Sequence, residues 1–234
     1  MLKEYKYKTE LHAHTKPISS CSEIPPEELV ELYHNLGYES VAITNHFEYN
    51  VYGKKEDENE LKNKIKTYID GYYKVVEEGA KLGLNVILGA ELRFMENSND
   101  YLIYGIEPEE LYEIANLLEI GIDAFYKKYK NDKNIIIQAH PFRDGMQPVN
   151  PESLDGIEVF NVHPGHNSRI GFAAKLAKEH NKIITCGTDY HHHGHEGLCG
   201  ILTKEPITDS IRLAEILKNK DYIIDIGGYK VLPE

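Results

Sequence analysis

Short apolar runs rich in β-branched residues alternate with longer amphipathic stretches along this chain. The runs that predict buried strands lie at residues 9–11, 40–45, 85–90, 100–105, 135–139, 156–161, 182–187 and 222–226. The stretches with helical spacing lie at residues 26–36, 58–82, 108–117, 169–180 and 209–218. Strands that alternate with helices are typical of parallel β-α-β units, so the pattern predicts an α/β fold.

The length of the chain fits this fold as one domain. Its 234 residues suffice to bury a sizeable core and fall within the size range of a single α/β barrel. With 41% hydrophobic and 27% charged residues, the composition is that of an ordinary globular protein. We therefore predict a single domain over residues 1–234.

The charge balance narrows the classes of partner. Lys and Arg total 26 against 38 Asp and Glu, which gives a formal net charge of -12. Because no basic stripe offers phosphates a long footprint, we expect no extended nucleic-acid surface. A small phosphorylated substrate stays open, since bound divalent cations reverse the sign of the potential inside one pocket.

Cysteine usage and hydropathy indicate the compartment. Cys21, Cys186 and Cys199 lie far apart without a C-x-x-C pair, so neither a disulfide framework nor a thiolate zinc knuckle is indicated. No apolar run has the length of a signal-peptide core or of a membrane span. We predict a cytoplasmic protein without a membrane partner, and the sequence leaves its oligomeric state open.

Residue types that bind metals stand at or just after the predicted strand ends. They are His12, His14, His46, Glu91, His140, Asp189 and His191. In a parallel α/β barrel the carboxyl ends of the strands open on one face, so side chains remote in sequence meet there. A single histidine after a strand is more often structural, but this joint arrangement of imidazole and carboxylate groups predicts one metal site.

Five motifs in this order resemble those of the PHP (polymerase and histidinol phosphatase) family of metal-dependent phosphoesterases. They are His-Ala-His-Thr at 12–15, Ile-Thr-Asn-His at 43–46, Gly-Ala-Glu at 89–91, Ala-His-Pro at 139–141 and Gly-Thr-Asp-Tyr-His at 187–191. The resemblance implies a distorted (β/α)7 TIM-like barrel. It also implies up to three divalent metal ions, commonly zinc, iron or manganese.

The resemblance also implies how these ligands are shared among the metals. His12, His14 and Asp189 would hold one ion, and Glu91 would bridge it to a second ion. His140 would complete the second ion's ligands. His46 and His191 would hold a third.

Two departures from the family pattern concern individual ligands. Many members place a histidine or aspartate after the first motif, whereas this chain has Ser-Ser-Cys-Ser at 19–22, where Cys21 is the nearest usable ligand. The alternative for Cys21 is a buried cysteine without a ligand role. The histidine expected on the strand after Glu91 is also absent. Asp100 is the candidate oxygen donor in its place, and the alternative is a strand-initial aspartate that faces water.

Three further residues are candidates for catalysis and substrate binding. Arg143 has the fork geometry that suits a phosphate, although a structural ion pair is the alternative. His163 and His166 lie on a loop after a strand and are candidates to donate a proton to the leaving oxygen or to contact substrate, unless they are surface histidines. The neighbouring histidines at 192, 193 and 195 are expected to be exposed loop residues.

The sequence favours metal-dependent hydrolysis of the phosphate monoester of a small metabolite, similar to histidinol phosphatase. Arg143 and His163 are the predicted catalytic residues, and His166 joins them in binding substrate. The alternatives are a phosphodiesterase or nuclease that acts on oligonucleotide ends and a noncatalytic metal-binding domain. Neither a G-x-x-x-x-G-K-[ST] loop nor a G-x-S-x-G elbow occurs, so nucleotide-driven transfer and serine hydrolysis have no support.

Overall fold

The computed structural model describes residues 2–54 and 57–233, and strands alternate with helices through most of this part of the chain. The strands are β1 (Tyr7–Ala13), β2 (Ser40–Ile43), β3 (His46–Glu48), β4 (Asn85–Leu88), β5 (Ala90–Arg93), β6 (Asp100–Tyr104), β7 (Ile135–Gln138), β8 (Gly156–Asn161), β9 (Ile183–Gly187), β10 (Cys199–Thr203), β11 (Ile223–Ile226) and β12 (Tyr229–Val231). The α-helices are α1 (Pro26–Asn35), α2 (Tyr49–Tyr52), α3 (Glu58–Leu82), α4 (Leu111–Leu117), α5 (Gly121–Tyr129), α6 (Ile170–Glu179) and α7 (Ser210–Asn219). Short 3-10 helices cover Leu2–Glu4, Pro108–Glu110 and Pro151–Ser153.

Two six-stranded sheets join into a distorted barrel. One sheet has the order β12-β11-β10-β1-β2-β4, and the other has the order β3-β5-β6-β7-β8-β9. Glu91 N donates to Asn45 O at 3.1 Å, which joins the sheets where β3 continues β2 and β5 continues β4. On the opposite side, His14 N donates to Tyr190 O at 3.0 Å and joins β1 to the segment after β9. The predicted (β/α)7-type barrel is confirmed.

Strand β6 runs antiparallel to both of its neighbours, and β10 runs antiparallel to β1. β6 pairs antiparallel with both β5 and β7, whereas β1 with β2, β2 with β4, β7 with β8 and β8 with β9 are parallel. Only residues 94–99 connect β5 to β6, which is too short for the crossover that a parallel neighbour needs. The start of β6 therefore lies at the same mouth of the barrel as the carboxyl ends of β5 and β7.

Helix α3 shows how local sequence sets the outer layer. The Asp57 side chain accepts a hydrogen bond from Asn59 N at the helix start, and Gly83 ends the helix in the left-handed conformation with φ +76°. Leu61, Ile65 and other residues of its apolar stripe are buried against the barrel. No described helix combines the length and the apolar character that a bilayer span requires.

Several element boundaries differ from the sequence prediction. The predicted strand at 85–90 is two strands that meet at Gly89, where a Cβ atom would lie 2.9 Å from the side chains of Thr44 and Tyr104. This break places Glu91 inside β5 instead of beyond a strand end. His12 likewise lies within β1, which is longer than predicted. The sequence prediction missed β3, β10, β12, α2 and α5, of which β3, β12 and α2 have only three or four residues.

Candidate metal centre

Most of the predicted metal ligands converge at one mouth of the barrel. They come from β1, β3, β5, the start of β6 and the segments after β7 and β9. Five of them form what we call the inner set, each at most 1% exposed: His12, His14, Glu91, His140 and Asp189. Three others form the rim set, which lies nearer the opening: Cys21, His46 and His191. The structure thus brings together residues that are up to 179 positions apart in the chain.

Glu91 lies at the centre of the cluster. Its Oε1 atom is 3.3 Å from His12 Nε2 and 3.1 Å from His140 Nε2. Its Oε2 atom is 3.4 Å from His14 Nε2 and 2.8 Å from His46 Nδ1. A carboxylate that meets four imidazoles through two oxygens has the geometry of a bridging ligand.

Asp189 connects the inner set to the rim. Its Oδ1 atom lies 3.5 Å from His12 Nε2, 3.4 Å from His14 Nε2 and 3.3 Å from His191 Nδ1. Four overlapping groups have one donor atom from each residue within 4.8 Å of the others. They are His12-His14-Asp189, His12-Glu91-His140, His14-His46-His191 and His46-Glu91-Asp100.

Several buried donor atoms in this cluster have no hydrogen-bond partner within the described part of the chain. They are His12 Nε2, His14 Nε2 and His140 Nδ1, together with His46 Nδ1 and Glu91 Oε2, which lie 2.8 Å apart without the alignment of a hydrogen bond. A buried polar atom without a partner costs free energy, so such atoms are rare away from functional sites. Imidazole nitrogens and carboxylate oxygens are the donors that zinc, iron and manganese accept, and the residues present therefore fit divalent metal ions.

The electrostatics of the cluster favour cations. Burial alone raises the pKa of Glu91, but His12 and His46 outweigh it and hold that pKa well below its usual range. Burial likewise opposes ionisation of Asp189, and His12 and His14 hold its pKa well below normal. Both carboxylates are therefore negatively charged at neutral pH, where they attract a metal ion.

Two ligands of the inner set have unusual backbone conformations. His140 has φ +29° and Asp189 has φ +55°, in the left-handed region that non-glycine residues rarely adopt. Such conformations cost on the order of 1–3 kcal/mol and persist where surrounding contacts enforce them. The backbone N–H of His140 donates to Glu158 Oε2 at 3.1 Å, and Tyr190 N, next to Asp189, donates to His12 O. These hydrogen bonds hold His140 and Asp189 in the strained conformations that place their side chains in the site.

Cys21 lies at the rim of the site. The prediction of a buried cysteine, offered as the alternative to a ligand, is wrong because Cys21 is exposed. Partial burial opposes ionisation of its thiol, but hydrogen bonds with His191 and His46 outweigh that effect and lower the pKa of Cys21 to about 6. Cys21 belongs to none of the groups of three donor atoms described above, but a thiolate hydrogen-bonded to two imidazoles has the chemistry of a metal ligand.

Asp100 also reaches the mouth of the barrel but is held by an arginine. It is buried, so the alternative of a strand-initial aspartate facing water is wrong. Arg93 lies opposite it in the antiparallel β5–β6 register, and its Nε and Nη2 atoms donate to the two Asp100 oxygens at 2.7 and 2.8 Å. The nearest Asp100 oxygen is 4.0 Å from His140 Nε2. Sequence reasoning missed Arg93, because only the strand register reveals the pair.

The predicted substrate-binding residues line a cavity of about 350 Å3 beside the ligands. Arg143 donates from Nη1 to Asp189 Oδ2 at 3.1 Å and from Nη2 to His166 Nε2 at 2.5 Å. His163 Nδ1 accepts a hydrogen bond from Gly165 N at 3.0 Å, and its burial lowers the pKa of His163 to about 4. The alternative of a surface histidine is wrong for His163, which is 8% exposed, and fits His166, which is exposed.

The remaining histidines of the loop after Asp189 lie outside the four ligand groups. His192 and His193 are exposed as expected, and they face Glu23 and Glu28 at 3.7 and 3.8 Å. Neither contributes a donor atom to the clusters found among the described residues. His195 is partly buried, which differs from the expected exposure.

Sequence reasoning also missed the buried polar residues that support the ligands. Glu10 accepts hydrogen bonds from His12 N and Thr188 N, and Glu158 accepts one from His12 Nδ1. Asn45 Oδ1 accepts a hydrogen bond from Thr15 N. The available signal was a charged residue inside an otherwise apolar strand run, which is the pattern around Glu158 but not around Glu10, whose neighbours include polar residues.

Comparison with known proteins assigns the chain to a family. The PHP domain family matches residues 10–227, which is nearly the whole chain. No curated protein matches this sequence. A two-domain protein from Bacteroides vulgatus, described as containing a predicted PHP-like metal-dependent phosphoesterase, superposes with a TM-score of 0.62 at 19% identity. The match covers 95% of this chain and 66% of that protein, so this chain spans slightly less than two thirds of its length.

Two other solved structures share the fold. PsfC from Pseudomonas syringae superposes with a TM-score of 0.60 at 14% identity, covering 89% of this chain and 88% of that one. An amidohydrolase from Chromobacterium violaceum, solved with sulfate and without metal, gives a TM-score of 0.50 at 13% identity over 80% and 89% of the two chains. These likenesses support the fold. The chain belongs to the PHP domain family.

Proposed function

We propose that this protein hydrolyses the phosphate monoester of a small metabolite with the help of two or three divalent metal ions. The observation that carries the proposal is the inner set, in which several buried donor atoms lack a hydrogen-bond partner in the described part of the chain, beside a cavity that Arg143, His163 and His166 help to line. A pocket of about 350 Å3 suits a small phosphorylated molecule and not a folded polymer.

The ligand groups indicate which residues would hold each ion. His12, His14 and Asp189 would hold one, and Glu91 would bridge it to a second that His140 also binds. His46 and His191, with Cys21, would hold a third ion at the rim. When bound, zinc, iron or manganese would supply an activated water and neutralise charge on a phosphate.

Arg143 would bind the nonbridging phosphate oxygens. The hydrogen bonds to Asp189 and His166 hold its guanidinium in one orientation, so little side-chain freedom is lost when an anion arrives. A planar guanidinium meets phosphate oxygens through two parallel N–H groups. The acceptor role of His166 Nε2 toward Arg143 keeps that ring neutral and makes it a positioning residue for the arginine.

His163 would donate a hydrogen bond to the leaving oxygen of the substrate. Because its Nδ1 atom accepts from Gly165 N, the proton of the neutral ring is on Nε2. A Cβ atom at Gly165 would lie 2.9 Å from His163 Cε1, so glycine permits this close turn. His163 is therefore a fixed hydrogen-bond donor at neutral pH, and its low pKa leaves the ring without the extra proton that the predicted role of proton donor to the leaving oxygen would need.

The proposal is tested by comparing three substrates on protein that has been stripped of metal and reloaded with manganese, zinc or iron. We expect hydrolysis of p-nitrophenyl phosphate only after reloading, with slower or no hydrolysis of bis-p-nitrophenyl phosphate and of a labelled oligonucleotide. Preference for the diester or the oligonucleotide would favour a phosphodiesterase or nuclease. Metal binding without hydrolysis of any phosphoester, including a panel of phosphorylated metabolites, would favour a noncatalytic metal-binding domain.

A further inference from the structure

Glu158 is a buried carboxylate in the middle of β8 that contacts two ligands of the inner set. It is 1% exposed. Its Oε1 atom lies 2.8 Å from His12 Nδ1, and its Oε2 atom accepts the backbone N–H of His140 at 3.1 Å. One side chain therefore connects β8 to a ligand on β1 and to another that follows β7.

The contact with His12 fixes the state of that imidazole. A carboxylate accepts hydrogen bonds, so His12 Nδ1 is the donor and carries a proton. In the neutral ring the lone pair is then on Nε2, which faces Glu91 and Asp189 at 3.3 and 3.5 Å. An outer carboxylate that sets the tautomer and orientation of a histidine ligand also makes the imidazole a stronger donor to a metal.

The contact with His140 supports a strained backbone. His140 has φ +29°, and its N–H is one of the groups that this conformation directs toward Glu158. Removing the acceptor would leave a buried N–H without a partner at a position that already stores strain. Glu158 thus stabilises the conformation that aims the His140 side chain at Glu91.

The surroundings of Glu158 are shaped for these contacts. Asn161 Nδ2 donates to Glu158 Oε2 at 3.0 Å and lies 3.3 Å from Asp189 Oδ2. It therefore fixes the Glu158 oxygen that does not face His12. At Gly187 a Cβ atom would lie 2.3 Å from Glu158 Oε1 and 2.4 Å from His12 Cβ. Only glycine at that position lets the glutamate and the histidine meet.

We infer that Glu158 is a positioning residue that sets the affinity of the inner metal ions by orienting His12 and holding His140. The inference rests on the proposed function, because it takes His12 and His140 as metal ligands. Glu158 itself is not among the residues that line the cavity. Its removal should weaken metal binding before it alters the fold.

The test measures metal affinity of the Glu158→Gln variant by competition with a chelator. Glutamine keeps the shape of the side chain but replaces one acceptor oxygen by an NH2 group. This NH2 group would face either the N–H donor of His12 or the donors of His140 and Asn161, and one of these contacts would be lost. We expect zinc or manganese affinity to fall by about 10- to 100-fold, the loss typical of outer partners of metal ligands. Activity should recover when excess metal restores occupancy, which a purely structural defect would not allow.

The matched control is Asp225→Asn. Asp225 is a buried carboxylate on β11 that contacts Lys8 and Lys230 and none of the predicted ligands. We expect this variant to keep wild-type metal affinity. The melting temperatures of the metal-free proteins separate a loss of metal affinity from a loss of fold stability. We expect Glu158→Gln to lose much metal affinity while its metal-free melting temperature falls little.

The outcomes separate this inference from the function on which it rests. Tight metal binding by the wild type and equal affinity in Glu158→Gln would overturn the positioning role alone. Failure of the wild type to bind metal would overturn the proposed function and the positioning role together. If Glu158→Gln does not fold, Glu158→Asp, which keeps the charge but shortens the reach, carries the same test, and wild-type affinity in it would overturn the inference.

Discussion

The inner and rim sets of ligands differ in how firmly the fold holds them. The inner set is at most 1% exposed, and buried carboxylates beneath it accept hydrogen bonds from the ligand rings and backbones. In the rim set Cys21 is exposed on a turn and His191 follows the last barrel strand, where its principal partners are Asp189 and Cys21.

This difference predicts that the two sets differ in metal affinity and in the rate of metal exchange. Ligands that are fixed before a metal arrives lose little freedom on binding, so the inner set should hold its ions tightly. The rim ligands are closer to solvent and to the cavity, so a metal there should exchange more easily and respond to substrate. Variants at the two sets, and at the cavity, test this division.

The largest effect is expected at the centre of the inner set. Glu91→Gln removes the charge that faces four imidazoles, and we expect kcat to fall by at least about 100- to 1000-fold, as when a preorganised group is removed from an active site. The bound metal measured by elemental analysis should fall with it, while circular dichroism shows a folded protein. Wild-type rates with full metal content would show that Glu91 is not the bridge between the ions.

The next effect separates substrate binding from metal binding. Arg143→Ala should lower kcat/KM by about 100-fold, because a bidentate contact to phosphate contributes a few kcal/mol. Metal content should not fall, since Arg143 is not a ligand and the loss of its positive charge beside Asp189 does not disfavour a cation. The control is Arg212→Ala, which removes an exposed arginine that pairs with Glu215 on α7. Equal losses in both variants would contradict a role for Arg143 at the phosphate.

Part of this comparison was predictable from the sequence. The alternation of strands and helices predicted the barrel, and the motifs predicted every member of the inner set, although His12 and Glu91 lie inside strands and not after strand ends. The sequence did not reveal Glu158 or Glu10 as supports, since their roles depend on which strands become neighbours. The Arg93–Asp100 pair also needed the register of β5 and β6.

The affinity of the rim set for metal should rise with pH. Burial lowers the pKa of His191, but hydrogen bonds with Asp189 and Cys21 outweigh it and raise that pKa to about 9, while the pKa of Cys21 is lowered to about 6. Between pH 6 and 9 a metal must displace the proton of His191 and that of His46, whose pKa Glu91 holds well above its usual range despite burial, so rim affinity should rise by at least about tenfold per pH unit. Below pH 6 the thiol also holds a proton, and the dependence should steepen.

This dependence can be followed on the rim alone with cobalt. A thiolate-to-cobalt charge-transfer absorption reports binding that involves Cys21, and its titration at several pH values gives the affinity. An affinity that falls as the pH rises from 6 to 9 would contradict the assignment of His191 and Cys21 to one ion.

The smallest effect on turnover is expected from the rim thiol itself. Cys21→Ser should lower kcat/KM by less than about tenfold, because the inner ions remain, while the charge-transfer absorption disappears and the most weakly held metal equivalent is lost. Ser20→Ala is the control, since Ser20 lines the same cavity. A loss of activity as large as that of Glu91→Gln would remove the distinction between the two sets.

The sequence could not have predicted this distinction. Cys21 and His191 carry ligand chemistry that is visible in the sequence, but their exposure follows from the turn after β1 and the loop after β9. The positive φ angles of His140 and Asp189 are likewise set by tertiary hydrogen bonds and not by local residue preference.

The central claim is that distant imidazoles and carboxylates form one metal centre around Glu91. Anomalous diffraction from crystals of metal-loaded protein, recorded at the absorption edge of the metal, tests it most directly. We expect anomalous peaks about 2.0–2.2 Å from the Glu91 carboxylate and the inner-set imidazole nitrogens. An empty inner set, with peaks only at the exposed His192 and His193, would contradict it.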